Sequence, residues 1–332
     1  MKNSVSSSPV EALIPIWQRL LRRPCIGAQE NFFELGGNPD VAIELFDGIA
    51  RACGRELSPL TIYQAPTIAA LASLLEQGPP SRLPPVILLK SGSAWPPIFM
   101  NHGMGGNVME FFDLVKHIRL PYPIYGLQAR GTEGIDAPLD TIEAMAQFHM
   151  EAVKEFQPHG PYVFIGHSLG GLVALEMAHR VKAVGEEVAL LAMLDSYPHI
   201  LRLSPSQCAR LFVRKAKHSA AFRLGKLLRV GRKTPDRRQV DFSLAPATQR
   251  VRDTAQLALQ RYRPHFYQGE IRFVRAATGS VFPNDPVAVW ANLSSRFQVE
   301  TVPGDHNGML RIHFESLAAV LSRYIREALC QR

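Results

Sequence analysis

Short apolar runs alternate with helical patterns from residue 86 to the end of this chain of 332 residues. Four runs predict strands, at 97–101, 162–165, 188–194 and 297–302. The run 188–194 is apolar at every position, which is typical of a strand buried in a parallel sheet. An amphipathic pattern from Met309 to Leu329 predicts a final helix. We therefore expect an α/β domain over residues 86–332.

A different pattern occupies residues 10–77, where three groups of apolar residues recur at helical spacing and predict a small all-α helical bundle. The groups are Leu13, Ile16, Trp17, Leu20 and Leu21; Val41, Ile43, Leu45, Phe46 and Ile49; and Ile68, Leu71, Leu74 and Leu75. Residues 78–85 hold four prolines, which predict an extended linker. Residues 1–9 are polar and serine-rich, and we expect them to be disordered.

Ser168 lies in the sequence Gly166-His167-Ser168-Leu169-Gly170, between the strand 162–165 and a helical pattern. A strand, a sharp turn and a helix are the context in which a G-x-S-x-G motif exposes a reactive serine. The two glycines permit the strained turn and the close approach of the helix to the strand. Ser168 is therefore the predicted nucleophile. The alternative is a chance match of the motif in a loop.

Asp195 is the predicted acid, because it follows the strand 188–194 at the edge where parallel sheets place their chemistry. The alternative is that Asp195 only caps the turn that follows, and Asp285 and Asp305 are rival acids. His306 is the predicted base, since it follows the strand 297–302 and a turn. The resulting order of nucleophile, acid and base is that of an α/β-hydrolase triad.

Three other histidines are weaker candidates for the base. His313 falls inside the predicted final helix, and His265 has no strand ahead of it. His102 opens a glycine-rich loop, 102–106, after the strand 97–101. Such a loop supplies backbone donors, so we expect His102 to be structural. The backbone N–H groups of Met104 and Leu169 are the predicted oxyanion hole.

Four separated motifs resemble the type I thioesterase domains of nonribosomal peptide and polyketide synthases, which have the α/β-hydrolase fold. They are the loop 102–106, the serine turn 166–170, and the segments 194–198 and 303–306. The loop has Gly103 where that family usually has proline. The resemblance implies Ser168, Asp195 and His306 as the triad, Met104 and Leu169 as oxyanion donors, and a helical lid at about 200–265.

The segments Asn31-Phe32-Phe33-Glu34-Leu35-Gly36-Gly37 and Tyr63-Gln64-Ala65-Pro66-Thr67-Ile68 resemble the carrier domains of the same synthases. Carrier domains attach phosphopantetheine to a serine two residues after the second glycine. This chain has Pro39 at that position, and proline suits a first helical turn but has no hydroxyl. The resemblance therefore implies a carrier-like domain without its cofactor, and no other cofactor or metal is predicted.

Composition adds two expectations. The longest apolar stretch is too short to span a membrane. The four cysteines are scattered and show no metal or disulfide spacing, so a cytoplasmic protein is expected. The lid candidate, residues 200–240, carries twelve Lys and Arg against one Asp, in a chain of net charge +8. A solvated helix face, docking of an acidic carrier or a phosphate, and contact with nucleic acid or an anionic membrane all remain open for this segment. Few aromatic residues interleave with its arginines, which disfavours nucleic acid.

The predicted function is a serine thioesterase that releases an acyl, polyketide or peptidyl chain from a phosphopantetheine thioester in secondary-metabolite biosynthesis. The expected donor is a separate acyl or peptidyl carrier protein or an acyl-CoA, and no nucleic-acid partner is expected. Hydrolysis and cyclisation both remain open. The alternatives are a generic carboxylesterase or lipase on the same fold and a non-catalytic docking module.

Overall fold

The computed structural model describes residues 8–55, 57, 59–63, 65–77, 84–199, 246–278 and 285–330. The chain divides into two compact units, Met1–Leu88 and Leu89–Arg332. Three sequence predictions fall largely outside the described residues: the disordered N-terminus, the proline-rich linker and the basic lid segment at 200–240. No helix in the described part of the chain is long and apolar enough to cross a membrane.

The first unit contains three α-helices and one short 3-10 helix within its described residues. They are α1 (Pro9–Leu21), α2 (Pro39–Cys53), the 3-10 helix Pro59–Tyr63, and α3 (Ile68–Gln77). The helices form because each carries apolar residues on one face, and these faces bury Leu13, Trp17, Leu45, Ile49 and Leu71. Leu20, Leu21, Val41, Ile43 and Leu74 from the predicted groups are only partly buried.

Helix α2 begins as the sequence predicts. Asn38 is its N-cap, and the Asn38 side-chain oxygen accepts the Val41 N–H at 3.0 Å. Pro39 is the first helical residue, a position where the missing N–H costs nothing. The segment ahead of it is anchored by Phe32, whose ring packs edge-on against Trp17 at 5.3 Å between centroids.

The second unit is built on a seven-stranded sheet in the order β1-β3-β2-β4-β5-β6-β7, whose first strand begins three residues before the division at Leu88. The strands are β1 (Val86–Lys90), β2 (Ile98–Asn101), β3 (Ile124–Leu127), β4 (Tyr162–His167), β5 (Val188–Leu194), β6 (Tyr267–Ala276) and β7 (Ser294–Val302). The pairings from β3 across to β7 are parallel. Strand β4 is buried at every position, so the centre of the sheet is also the centre of the core.

Helices connect the strands of this sheet. They are α4 (Phe112–His117), α5 (Ile142–Phe156), α6 (Leu169–Ala183), α7 (Pro246–Arg261), α8 (Pro286–Trp290), α9 (Gly308–Arg311) and α10 (Phe314–Cys330), with 3-10 helices at Met109–Phe111 and Ala291–Leu293. Parallel strands joined by helices give the α/β fold that the sequence predicts. The carboxyl ends of β2, β4, β5 and β7 therefore meet at one edge.

The prediction of one final helix from Met309 to Leu329 is wrong. The chain forms two helices, α9 and α10, with a break at Ile312 and His313. The Ile312 and His313 N–H groups both bond to the Gly308 carbonyl, at 2.8 and 2.9 Å, and this double contact ends α9. His313 therefore lies between two helices and not inside one.

Candidate active site

Ser168 occupies a strained turn between β4 and α6. Its φ of 55° and ψ of −119° lie outside the regions that non-glycine residues ordinarily adopt. Two backbone bonds hold the turn: Ser168 N–H donates to the Leu194 carbonyl at 2.9 Å, and Gly171 N–H donates to the Ser168 carbonyl at 3.2 Å. Strain of this kind persists only where the surrounding structure enforces it, and it is common at functional sites.

Gly170 allows helix α6 to start against the loop that follows β2. A Cβ atom at Gly170 would overlap the backbone carbonyl oxygens of Asn101 and His102. This contact brings the first turn of α6 next to the glycine-rich loop 102–106. Leu169 is the first residue of α6, so its N–H has no partner within the helix.

Asp195 lies at the carboxyl end of β5 and is fully buried. Its backbone is also in the left-handed region, with φ of 45°, and its N–H donates to the Val274 carbonyl at 2.8 Å. One carboxylate oxygen accepts the Ala276 N–H at 3.4 Å. The other oxygen is 2.8 Å from Nδ1 of His306. A buried carboxylate is stabilised by donors of this kind.

The two rival acids have other contacts. Asp285 accepts the Ala288 N–H at 3.0 Å and caps α8, while Asp305 accepts the Gly308 N–H at 2.7 Å at the start of α9. Both therefore serve helix ends. Asp195 is the acid that the structure brings to His306.

His306 sits in the turn after β7, with about a fifth of its side chain exposed. The turn is held by Thr278, whose N–H donates to the Gly304 carbonyl at 2.9 Å. The contact with Asp195 is made by Nδ1 of the imidazole. Ser168, Asp195 and His306 thus follow β4, β5 and β7 at the same edge of the sheet.

The glycine-rich loop after β2 contains the predicted donor Met104, which lies in a turn and is partly buried. Gly103 N–H donates to the Glu110 carboxylate at 2.5 Å, and Gly106 N–H donates to the Gly103 carbonyl at 3.1 Å. Val251 and Ala255 of α7, which belongs to the predicted lid, line a small pocket together with His102 of this loop.

His102 is buried, and its Nδ1–H donates to the Gly103 carbonyl at 2.7 Å. Burial lowers its pKa, so the ring is neutral near pH 7. These contacts fit a structural role for His102. His265 is exposed and stacks on His179 of α6 at 3.8 Å between ring centroids.

Two residues that the sequence analysis assigned no role also reach this site. His167 contacts both Glu110 and the backbone of His306. His167 stands next to Ser168 in the G-x-S-x-G motif, so the sequence could have indicated that its side chain lies near the site. Glu110 carries no sequence signal, because the 3-10 helix Met109–Phe111 brings it to Gly103 and His167 only in the folded protein.

The thioesterase domain family matches residues 96–326 of the chain. The chain belongs to the thioesterase domain family. The match covers the serine turn, Asp195 and His306, and it assigns the second unit to the serine hydrolases that act on thioesters. A second family, the phosphopantetheine attachment site, matches residues 11–75. A carrier-type sequence therefore precedes the thioesterase domain.

The relatives of this thioesterase are nonribosomal peptide synthetases. The chain is 40% identical over 190 residues to a dimodular nonribosomal peptide synthase of Bacillus subtilis (strain 168), covering 57% of the chain and 8% of the relative. It is 33% identical over 267 residues to malpibaldin synthetase of Mortierella alpina, covering 80% of the chain and 5% of the relative. The chain thus spans less than a tenth of the length of either synthetase.

A solved thioesterase domain shares the fold. It is the NocB thioesterase domain in covalent complex with a fluorophosphonate nocardicin G analogue. The two chains are 25% identical with a TM-score of 0.50, and the similarity covers 71% of this chain and 95% of the solved domain.

Among the described residues, no group of three or more His, Cys, Asp and Glu side chains is arranged to hold a metal ion.

Proposed function

We propose that this thioesterase domain cleaves a pantetheine thioester through an acyl-enzyme on Ser168, and so releases an acyl or peptidyl chain. The observation that carries the proposal is the 2.8 Å contact between His306 Nδ1 and the buried Asp195, at the edge where Ser168 stands in its strained turn. Asp195 holds the imidazole in one tautomer, so Nε2 can act as a base.

The first half-reaction forms the acyl-enzyme. Nε2 of His306 takes the Ser168 proton while the serine oxygen attacks the thioester carbonyl carbon. The oxyanion that forms accepts hydrogen bonds from the N–H groups of Leu169 and Met104, and each such donor stabilises the transition state by about 3 kcal/mol in other hydrolases. The C–S bond then breaks, and His306 returns its proton to the leaving thiol.

The second half-reaction frees Ser168. A water molecule gives a proton to His306 and attacks the acyl carbon. The bond between this carbon and the serine oxygen then breaks, His306 passes the proton to the serine oxygen, and a carboxylic acid is released. A hydroxyl or amine within the chain can replace the water, and the product is then a ring. Exclusion of water from the site decides between these outcomes, and the mass of the product distinguishes them.

The proposed donor is a carrier protein separate from this chain. The match to the phosphopantetheine attachment family covers residues 11–75, but α2 begins with Pro39 at the attachment position. Because proline has no hydroxyl, the first unit cannot hold the thioester by the route of that family. Acyl-CoA carries the same pantetheine thioester and is the second donor to test.

Ser168→Ala tests the nucleophile. In the variant, the rate of cleavage of acyl-pantetheine thioesters should fall by at least about 10³-fold, and a fluorophosphonate should not label the protein. The reason is that alanine has no side-chain oxygen that could act as the nucleophile. Thiol release and intact-protein mass are the measurements. Ser93→Ala, at an exposed loop position, is the matched control and should behave like the unmodified protein.

Two outcomes would contradict the proposal. One is thioester cleavage that persists in Ser168→Ala. The other is rapid hydrolysis of p-nitrophenyl esters without any cleavage of acyl-pantetheine, which would indicate a generic carboxylesterase.

A further inference from the structure

Glu110 faces two parts of the site at once. Its Oε1 accepts the Gly103 N–H at 2.5 Å, in the glycine-rich loop 102–106 that is called the oxyanion loop below. Its Oε2 lies 3.6 Å from Nδ1 of His167. The His167 side chain is 3% exposed and that of Glu110 is 22% exposed. The contact therefore lies within the protein, where charges are weakly screened.

The other side of the His167 ring contacts the loop after β7 that holds His306, which is called the base loop below. Nε2 of His167 is 3.0 Å from the backbone carbonyl of His306, and the two rings lie 4.6 Å apart between centroids at an angle of 31°. A carbonyl oxygen only accepts hydrogen bonds, so Nε2 of His167 carries a proton and donates it.

Nδ1 of His167 faces Glu110 at 3.6 Å, a contact longer than a hydrogen bond. Burial alone would raise the pKa of the Glu110 carboxyl, but His167, the Gly103 N–H and His102 together hold this pKa below its usual value. These contacts favour the carboxylate form of Glu110, which accepts the Gly103 N–H.

We propose that Glu110 and His167 act as a positioning pair, which ties the oxyanion loop to the loop of His306. Gly103 precedes the proposed oxyanion donor Met104, and the carbonyl held by His167 belongs to the proposed base itself. Neither member of the pair reaches the acyl group in this scheme, so neither is a catalytic residue. The inference rests on the proposed function, since it assigns the support of the same site.

The two loops need such a link because they come from distant parts of the chain. The oxyanion loop follows β2, and the base loop follows β7 at the far end of the sheet order. His167, at the end of β4, stands between them. A displacement of about 1 Å between reacting groups can lower the rate 10²-fold, so a small shift of either loop would lower kcat.

The test compares Glu110→Ala, His167→Ala and Glu110→Gln in the full chain, with acyl-pantetheine thioesters as substrate. Each alanine variant should lower kcat by about 10- to 100-fold with little change in KM, and the double variant should be no worse than the more impaired single variant. Glu110→Gln should stay within about threefold of the unmodified protein. Its amide oxygen can still accept the Gly103 N–H, and the amide has nearly the same size as the carboxylate that faces His167.

A matched control exists on the surface of the same domain. His159 and Glu186 form a second His–Glu pair, at 2.7 Å, and Glu186 also accepts the Gly160 N–H at 2.7 Å. This pair lies where β4 and β5 begin, at the opposite edge of the sheet from Ser168. His159→Ala and Glu186→Ala should therefore leave kcat and KM unchanged.

The rate of fluorophosphonate labelling of Ser168 should fall in the same proportion as kcat, measured at a temperature where circular dichroism shows each variant folded. The positioning role would be overturned if Glu110→Ala and His167→Ala kept the kcat and labelling rate of the His159 and Glu186 controls. It would also be overturned if kcat fell as far in Glu110→Gln as in Glu110→Ala. If the unmodified protein cleaves no thioester and takes up no label, the proposed function itself has failed, which is a distinguishable result.

Discussion

The histidines of this domain show how the surroundings of a residue set its chemistry. His306 bonds to the buried Asp195, His102 bonds to its neighbouring carbonyl, and His167 contacts a glutamate. His179 of α6 differs from these, because it is partly buried and stacks on His265 at 3.8 Å between ring centroids. Burial, followed by the nearby His265, lowers the pKa of His179 to about 4.

The stability of the protein should therefore depend on His179 between pH 6.5 and about 4. In this window the unfolded chain binds a proton at His179 that the folded protein does not, so stability falls as the pH falls. We expect a loss of about 2 kcal/mol from this residue, after an allowance for its partial exposure. His179→Phe should flatten this part of the profile, measured by urea unfolding at pH 7.5, 6, 5 and 4.5.

The comparison at pH 7.5 is the internal control, since His179 is neutral there in the folded protein. If the free energy of unfolding of His179→Phe falls with pH as steeply as that of the unmodified protein, His179 does not cause the pH dependence of stability.

At the scale of elements, the turn from β4 to α6 sets the geometry of the site. It places Ser168 at the end of the central strand and the Leu169 N–H at the start of a helix, where N–H groups lack helical partners. The helix starts this close to β2 because residue 170 has no side chain. Asp195 and His306 then follow β5 and β7 in the same sheet.

Gly170→Ala should damage both fold and activity. The new methyl group would overlap the carbonyl oxygens of Asn101 and His102, and these belong to the backbone and cannot rotate away. Helix α6 would have to shift, at a cost of about 1–3 kcal/mol, and the Leu169 N–H would move with it. Chemical denaturation should show the loss of stability, and thiol release should show the fall in kcat.

Gly105→Ala is the control for stability. A Cβ atom there would meet only the Asn107 side chain, at an ordinary 3.6 Å. Its unfolding midpoint should stay close to that of the unmodified protein. Equal stability of the two alanine variants would contradict the packing argument.

At the scale of the whole molecule, the chain joins a carrier-type sequence to a thioesterase domain. The first unit keeps the helix that begins at the attachment position and the Asn38 cap ahead of it. By the proposed assignment of residue 39 as the attachment position, the first unit lacks the hydroxyl that would hold phosphopantetheine. The thioesterase domain keeps all the residues that its proposed chemistry requires.

Pro39→Ser should restore loading with phosphopantetheine. After incubation with coenzyme A and a phosphopantetheinyl transferase, the full-length variant should gain one phosphopantetheine, while the unmodified chain should gain none. Intact-protein mass spectrometry is the measurement. Pro24→Ser, at an exposed position outside the motif, controls for the mere addition of a serine. A gain of mass by the unmodified chain would contradict the proposed loss of the attachment site.

Much of the fold was predictable from the sequence, because local patterns carry it. The run 188–194 became β5 with the same bounds, and the strand before Ser168 reached two residues further, to His167. The final helix was mispredicted because the amphipathic pattern continues through Ile312 and His313, while the hydrogen bonds to Gly308 break the helix there. Periodicity reports which face is apolar, but it does not report where the backbone turns.

The sequence by itself determined the kinds of groups available and their order along the chain: a serine in a glycine turn, an aspartate after an apolar strand, and a late histidine. Only the tertiary structure decided which of them meet. Asp195, Asp285 and Asp305 are alike as carboxylates, and the order of parallel strands brings Asp195 to His306. The link through Glu110 and His167 also exists only in three dimensions, since contacts between distant segments follow from packing and leave no local pattern.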